Sequence, residues 1–600
     1  MPAARHLYFD NWISKLNFVK VIKNGKTKSN SISMLKKIYL LLTIAATVVL
    51  GSCSSKMGDM KQEFFTVTPS ILEVIGSQVP VTIDGKFPAK VFDKKSVLTV
   101  TPVLKYNGGE AIAESMTFQG SKVRGNDRTI SYENGGTFKM KMTFDYVPEM
   151  EKSELYLRFS VNRGKKTYTL PEVKVADGCI ATSQLYCNTV KSANIAIGED
   201  AFQRVIKQAK EANIMFLIQQ TNLRSSELNS TEMKELTAAL ADVAQDYENK
   251  VLEDIQVSAY ASPDGGYILN DGIATGRGDN AAKHMKNEMK KAKIDGFVDN
   301  RYTAEDWDGF QELVSRSNLP DKELILRVLS MYTDPEEREE QIKNISSVYG
   351  ELADEILPKL RRARITLNYQ LIGRSDDQII EQYAANPKEL TLEEILYASI
   401  LTDDAAKKEE IFKTAVKIYP NDYRAYNNLG VLAYKKGDYT TAKNYFNAAS
   451  KIDGSAPEVK VNLGYMELLE GNAAAAEPYI TMGADAKAGD EALGNLYIAQ
   501  GEYGRAAAKL RGNNSNSAAL AQLLNKDYSS SRSTLESIKE PDAMTYYIKA
   551  VLGARTANVS LLYDGLKNAV KLDPSLAKKA ASDLEFFKYT QDATFQNIIK

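Results

Sequence analysis

The dipeptide Leu429-Gly430 returns 34 residues later as Leu463-Gly464. Ala442 and Phe446 follow the first copy, and Ala476 and Ile480 follow the second at the same spacing. A third copy runs through Gly494, Gly501, Tyr503, Ala506 and Leu510, four residues short. Phe412, Ala415 and Pro420 fit the end of an earlier repeat, and Leu566, Ala569 and Pro574 fit a last one. A period of this length leaves few folds open. Each repeat supplies one pair of helices that cannot bury its apolar face alone, so neighbours must stack. Residues 380–600 are therefore predicted to form an all-α array, with the small residues where helices cross.

Tyr426, Leu429, Gly430, Tyr439, Ala442, Phe446 and Ala449 together resemble the tetratricopeptide-repeat signature. That resemblance implies a solenoid whose inner surface holds a peptide or a protein partner. The alternative is a superhelix with a purely structural role.

Near the start, Met34–Ser55 reads MLKKIYLLLTIAATVVLGSCSS. Lys36 and Lys37 precede an uncharged run of 13 residues, Ile38–Leu50. A membrane-spanning helix needs about 20 apolar residues, so this run suits a secretory signal instead. It ends in Leu50-Gly51-Ser52-Cys53, which resembles the bacterial lipobox. The resemblance implies that residues 34–52 are a signal peptide and that Cys53 carries the lipid. Residues 1–33 are then expected to be a non-native upstream extension. Export to an oxidising compartment would permit a disulfide between Cys179 and Cys187.

Residues 53–190 read as a β-sandwich, immunoglobulin-like in pattern. Segments such as SVLTVTPVLKY, GTFKMKMTFDYV and SELYLRFSV are rich in β-branched and aromatic residues, and turn signals separate them. Residues 195–373 alternate strand and helix patterns, which predicts an α/β layer fold, and 296–360 is expected to be a helical insertion.

Within that region lies Ser258–Arg277, SAYASPDGGYILNDGIATGR. Gly265, Asn270, Ile273 and Arg277, followed much later by Arg361-Arg362-Ala363-Arg364-Ile365, resemble the OmpA-like domain that holds peptidoglycan. In that family a loop aspartate and the helix arginine grip the zwitterionic end of diaminopimelate. A carboxylate meets an ammonium, and a guanidinium forks onto a carboxylate. Arg277 keeps its place here, but Ser262 stands where the aspartate belongs. Asp264 reaches in from a shifted turn or is plain Pro-Asp-Gly turn chemistry. Asn270 caps the helix or holds the loop. Gly272, Gly276 and Gly278 predict a loose first turn, since each glycine costs about 1 kcal/mol relative to alanine inside a helix. A retained wall-binding pocket and a decayed one both fit these residues.

Composition removes other classes. Lys+Arg total 76 and Asp+Glu 77, a net charge of −1, so no global field draws nucleic acid. His6 and His284 are the two histidines, and His284 has no second His or Cys nearby in sequence. No metal, cofactor or catalytic motif is expected. The order of lipid anchor, sandwich, OmpA-like domain and repeats looks like envelope lipoproteins of the Bacteroidetes type. It implies a non-catalytic scaffold on the outer membrane, more on the periplasmic face than the surface, with peptidoglycan and a protein partner as its contacts. The alternative is a surface-exposed adhesin or an assembly factor for secretion or fimbriae, with a vestigial wall pocket.

Overall fold

The computed structural model describes residues 57–319, 321–344 and 346–600. The expected upstream extension 1–33, the expected signal peptide 34–52 and Cys53 lie outside the described residues. The chain divides into two compact units, one of Met1–Thr189 with Tyr497–Lys600, the other of Val190–Leu496. The repeat array is thus not a module of its own. Its first part groups with the α/β region and its last part with the sandwich.

In the first unit, strands β1 (Phe65–Thr68), β3 (Gln78–Phe87) and β8 (Gly136–Asp145) form one sheet. The second sheet runs β2 (Ile71–Glu73), β10 (Lys166–Ile180), β9 (Ser153–Arg163), β4 (Val97–Tyr106), β6 (Met116–Gly120) and β7 (Arg128–Ile130), with β5 (Gly109–Ile112) on β4. Alternate residues of β3 and β9 are buried, the period of a sheet with one face inward. Phenylalanines from both sheets meet between them. Phe65 stacks on Phe159 at 5.9 Å between ring centroids, and Phe118 lies 4.6 Å from Phe138. Such pairs add about 1 kcal/mol each beyond the area they bury.

The later helices close on this sandwich. The Arg555 guanidinium binds Glu73 of β2 at 3.0 Å and Glu585 at 2.5 Å, and Thr182 also donates to Glu585. Burial pushes the Glu585 carboxyl up, against the pull of Arg555.

No disulfide joins Cys179 and Cys187; both are thiols. The Cys179 sulfur faces Ser153 Oγ on the neighbouring strand at 3.7 Å. Cys187 follows a 3-10 turn and sits on the next helical turn, Tyr186–Thr189. Burial pushes the Cys179 thiol up to about 11.

In the second unit, strands β11 (Val205–Met215), β14 (Arg362–Ile372), β12 (Lys250–Tyr260) and β13 (Phe297–Thr303) form a sheet in that order. All pairs are antiparallel except β12 with β13. Helices α1 (Thr231–Gln245) and α2 (Tyr267–Ala292) touch each other and the sheet. Met233, Leu236, Leu240, Met285 and Met289 meet Ile214, Val257 and Ile365 in its core. The expected insertion 296–360 begins later than its pattern suggested. Phe297–Thr303 is an edge strand, and only from Trp307 onward is the segment helical. Its helices bury Phe310, Val314, Ile325, Ile342 and Leu360 in a small core of their own.

The repeats in this unit include α3 (Ala405–Ile418), α4 (Tyr423–Lys435), α5 (Tyr439–Ile452), α6 (Pro457–Leu469), α7 (Ala473–Met482) and, up to Leu496, most of α8 (Gly489–Ala499). Asp404, Asp422 and Asp438 cap α3, α4 and α5 by accepting from first-turn amides. Gly437 and Gly471 turn the chain with φ of 77° and 79°, a conformation that favours glycine. Gly430 and Gly464 have another purpose. A Cβ at Gly430 would lie 2.5 Å from the Phe446 ring, and one at Gly464 would lie 2.4 Å from Ile480. The repeated Leu-Gly therefore marks where paired helices cross closest.

Candidate functional site

Two places in the second unit gather buried polar side chains. The first is the loop after β12. The bonds of Arg277 run inward. It is 1% exposed, and its guanidinium donates to the carbonyls of Tyr260 at 2.8 Å, Gln220 at 3.0 Å and Leu217 at 3.2 Å. Burial, with the Arg361 charge close by, brings it down to about 10, so it stays protonated at neutral pH. Asp264 faces Arg361, Oδ2 to Nη2 3.1 Å, and accepts from the Ser262 hydroxyl. Arg361 Nε also donates to Ser262 Oγ at 3.2 Å.

Asn270 holds the loop, donating to the carbonyls of Ser262 at 3.1 Å and Gly265 at 2.6 Å. The cap of α2 is Gly266 instead. That helix is regular through its glycines, contrary to the loose turn expected. Gly278 admits the sheet, since a Cβ there would lie 2.6 Å from Asn300 Oδ1.

The helical insertion covers this loop. Trp307, Phe310, Ile342, Leu352 and Leu357 close over Pro263 and Asp264, leaving about 20 Å³, room for a single water. Arg362 ties the covering in place by pairing with Asp306, the N-cap of the Trp307–Arg316 helix, at 2.9 Å. All four residues expected to bind peptidoglycan are thus brought together, with their polar atoms bonded to one another, to Arg361 or to the backbone.

The second place is the repeats, where the chain lays its own extended segment Asn194–Asp200 across the first helices of successive pairs. Ala196 is held at both backbone groups by one side chain. Its N–H donates to Asn462 Oδ1 at 2.8 Å, and its carbonyl accepts from Asn462 Nδ2 at 2.7 Å and from Asn427 Nδ2 at 3.0 Å. Asn428 treats Gly198 the same way, at 2.8 and 2.9 Å. The ends are held too. Asn194 donates to Glu491 at 3.3 Å, and Arg424 donates to the carbonyl of Asp200 at 3.0 Å. Asn427, Asn428 and Asn462 are 0%, 4% and 0% exposed. A buried amide without partners costs about 1–3 kcal/mol, and here the segment's main chain supplies them.

The repeat signature did not include these asparagines, yet they left a signal. Asn428-Leu429-Gly430 and Asn462-Leu463-Gly464 keep the 34-residue period, and Asn495-Leu496 follows 33 residues on. A polar residue that recurs in phase with an apolar repeat points to a shared inner face. Alongside the segment a cleft of about 830 Å³ stays open, walled by Leu396, Ile400, Phe412, Val431 and Leu432.

Residues 411–444 match the tetratricopeptide-repeat family model. No curated protein matches the chain significantly. Among solved structures, the chain is similar to a tetratricopeptide repeat protein from Parabacteroides merdae ATCC 43184, at 11% identity over 35% of this chain and 91% of that one, with a TM-score of 0.27. It is similar to Pseudomonas aeruginosa PilF at 13% identity over 36% of this chain and 99% of that one, with a TM-score of 0.26. Yeast Tom70 gives 11% identity over 54% and 75%, with a TM-score of 0.23. This is a multidomain chain with a sheet-rich N-terminal and central part, and its C-terminal region carries helical repeats of the tetratricopeptide type, the kind that suggests a protein–protein interaction scaffold.

Proposed function

We propose that this protein is a non-catalytic scaffold of the bacterial envelope, tethered by lipid at Cys53 to the outer membrane on its periplasmic side, whose repeats bind a protein partner. The observation that carries the binding half is the row of buried asparagines. Asn427, Asn428 and Asn462 direct their amides at the main chain of an extended segment, which is the chemistry of peptide recognition. The tether rests on the lipobox-like Leu50-Gly51-Ser52-Cys53. Several acyl chains on one cysteine anchor firmly where a single chain does not.

The α/β region supports an OmpA-like identity through its mixed sheet with two helices against it and through its loop residues. Wall binding by the family's chemistry is not part of this reading. The Arg277 guanidinium already donates to three carbonyls, and Asp264 already pairs with Arg361. That same observation favours a second reading, a surface-exposed adhesin or assembly factor on which the wall pocket is vestigial.

Three measurements test the proposal. Metabolic palmitate labelling is expected in the parent and lost in Cys53→Ser; equal labelling removes the tether. A pull-down on purified peptidoglycan is expected to fail; wild-type binding abolished by Arg277→Ala would restore the wall contact. Protease shaving of intact cells is expected to spare the repeats, and cleavage there would establish the surface-exposed reading.

A further inference from the structure

Asn462 and Asn428 read Ala196 and Gly198 in one manner. The side-chain carbonyl accepts from the residue's N–H, and the side-chain NH2 donates to its C=O. The two asparagines stand at the same place in consecutive repeats, so each repeat reads every second residue of an extended chain. The bonds from Asn427, Asn428 and Asn462 to the segment all go to its main chain. Selection among side chains is therefore steric. Ala196 is 3% exposed, and at Gly198 a Cβ would lie 3.0 Å from the Arg424 backbone. Ile195 is buried, whereas Ile197 is 52% exposed. What the site accepts is an extended segment with an apolar residue, a small one, any residue and then glycine.

We infer that Asn194–Asp200 is the resident occupant of a peptide-backbone site built by Asn427, Asn428 and Asn462, and that the partner inserts an extended segment of the same small-x-Gly pattern in its place. This rests on the protein-partner reading above and names the chemistry of that partner. Two features favour exchange over a permanent tie. The grip on the segment's middle comes mainly from hydrogen bonds that any extended chain reproduces. The apolar cleft beside it, with Ile400 60% exposed on its wall, gives an incoming chain a place to land before the segment lifts. Outside the lifted part the chain stays pinned, by Phe202 on Tyr397 at 4.5 Å and by Arg204 on Asp376. The resident segment competes intramolecularly, at an effective concentration on the order of millimolar, so a free peptide binds weakly until that segment is displaced.

The test is a titration of the full chain with a labelled peptide of residues 192–203, read by fluorescence anisotropy. In Gly198→Trp the indole prevents the resident segment from seating. This variant is expected to bind the peptide on the order of tenfold or more tighter than wild type, and adding Asn428→Ala with Asn462→Ala to it is expected to abolish binding. Equal affinity in wild type and Gly198→Trp overturns the proposal, as does binding that survives loss of both asparagines. Hydrogen exchange on the wild-type chain covers the event that the tryptophan variant does not fold. The amides of Ala196 and Gly198 are expected to exchange much faster than those of β14, and equally slow exchange means the segment never leaves and sinks the idea. A photo-crosslinker at Ile400 that captures a specific partner in cells, while the peptide test fails, ends this inference and leaves the scaffold reading standing. Failure of both ends that reading too.

Discussion

The loop after β12 and the inner face of the repeats use the same currency, buried Asn and Arg side chains bonded to main-chain groups, and use it to different ends. In the loop, Arg277 and Asn270 bond to the backbone of their own domain. Arg277 bridges Tyr260, Leu217 and Gln220, and Asn270 bridges Ser262 and Gly265. A helical insertion then seals the site to about 20 Å³. In the repeats the amides bond to a segment that crosses their surface as a separate strand of chain, with an open cleft of about 830 Å³ beside it. Residue types that match a binding motif do not make a binding site. What decides is whether their donors and acceptors face something that can leave.

That contrast can be broken most forcefully at Arg277. Replacing it by alanine strips three carbonyls of their donor and opens a cavity, and should cost about 3 kcal/mol or more in chemical denaturation. Arg277→Lys should not rescue, because a single ammonium lacks the fork that spans three acceptors. A small effect would mean the guanidinium is available for a ligand after all.

Asn462→Ala comes next. It removes both bonds to Ala196 and one to Asn427 at 2.9 Å, and should cost about 2 kcal/mol. The loss should be local. Proteolysis between 194 and 200 should accelerate while the far-ultraviolet circular dichroism stays constant, and a globally unfolded variant would refute the strap picture. Asn270→Ala should cost about 1 kcal/mol, with no change in protease sensitivity of 194–200.

The smallest effect lies on the outside of the repeats. Glu409 is held down to about 2 by hydrogen bonds from Lys413, one turn on along α3, and from Lys436 at the C-cap of α4. A lowered carboxylate stabilises above its unfolded value near 4.3 and loses that stabilisation as pH falls toward 2. Its side chain is 30% exposed, so solvent screening limits the gain to about 0.5 kcal/mol. Glu409→Gln should therefore be slightly less stable than wild type at pH 7 and indistinguishable at pH 2; a gap of the same size at both pH values would show that charge plays no part. Outside both sites, alkylation after denaturation without reductant should modify Cys179 and Cys187 alike, and protection of the pair would restore the disulfide.

Much of the framework was readable in advance. The 34-residue period located the repeats because Gly430 and Gly464 must admit Phe446 and Ile480, a demand that sequence records directly. Strands such as β9 were readable because burial of alternate residues leaves a period of two. The strand Phe297–Thr303 was missed. As an edge of the sheet it keeps Phe297 and Tyr302 exposed and shows no clean alternation. The bond between Cys179 and Cys187 was expected from proximity in sequence, and the turn between them places the two thiols on different elements.

Sequence alone determined the helical repeats, the strands with alternating burial and the residues gathered at the loop, because local periodicity and turn chemistry are written along the chain. Tertiary structure decided what those residues do. Whether Arg277 meets a ligand or three carbonyls depends on the Leu217–Gln220 loop, nearly sixty residues away in the chain. Whether Asn428 and Asn462 face water or Asn194–Asp200 depends on a segment more than two hundred residues upstream. A hydrogen bond is short and directional, so its partner is set by where the folded chain returns, and no local pattern carries that information.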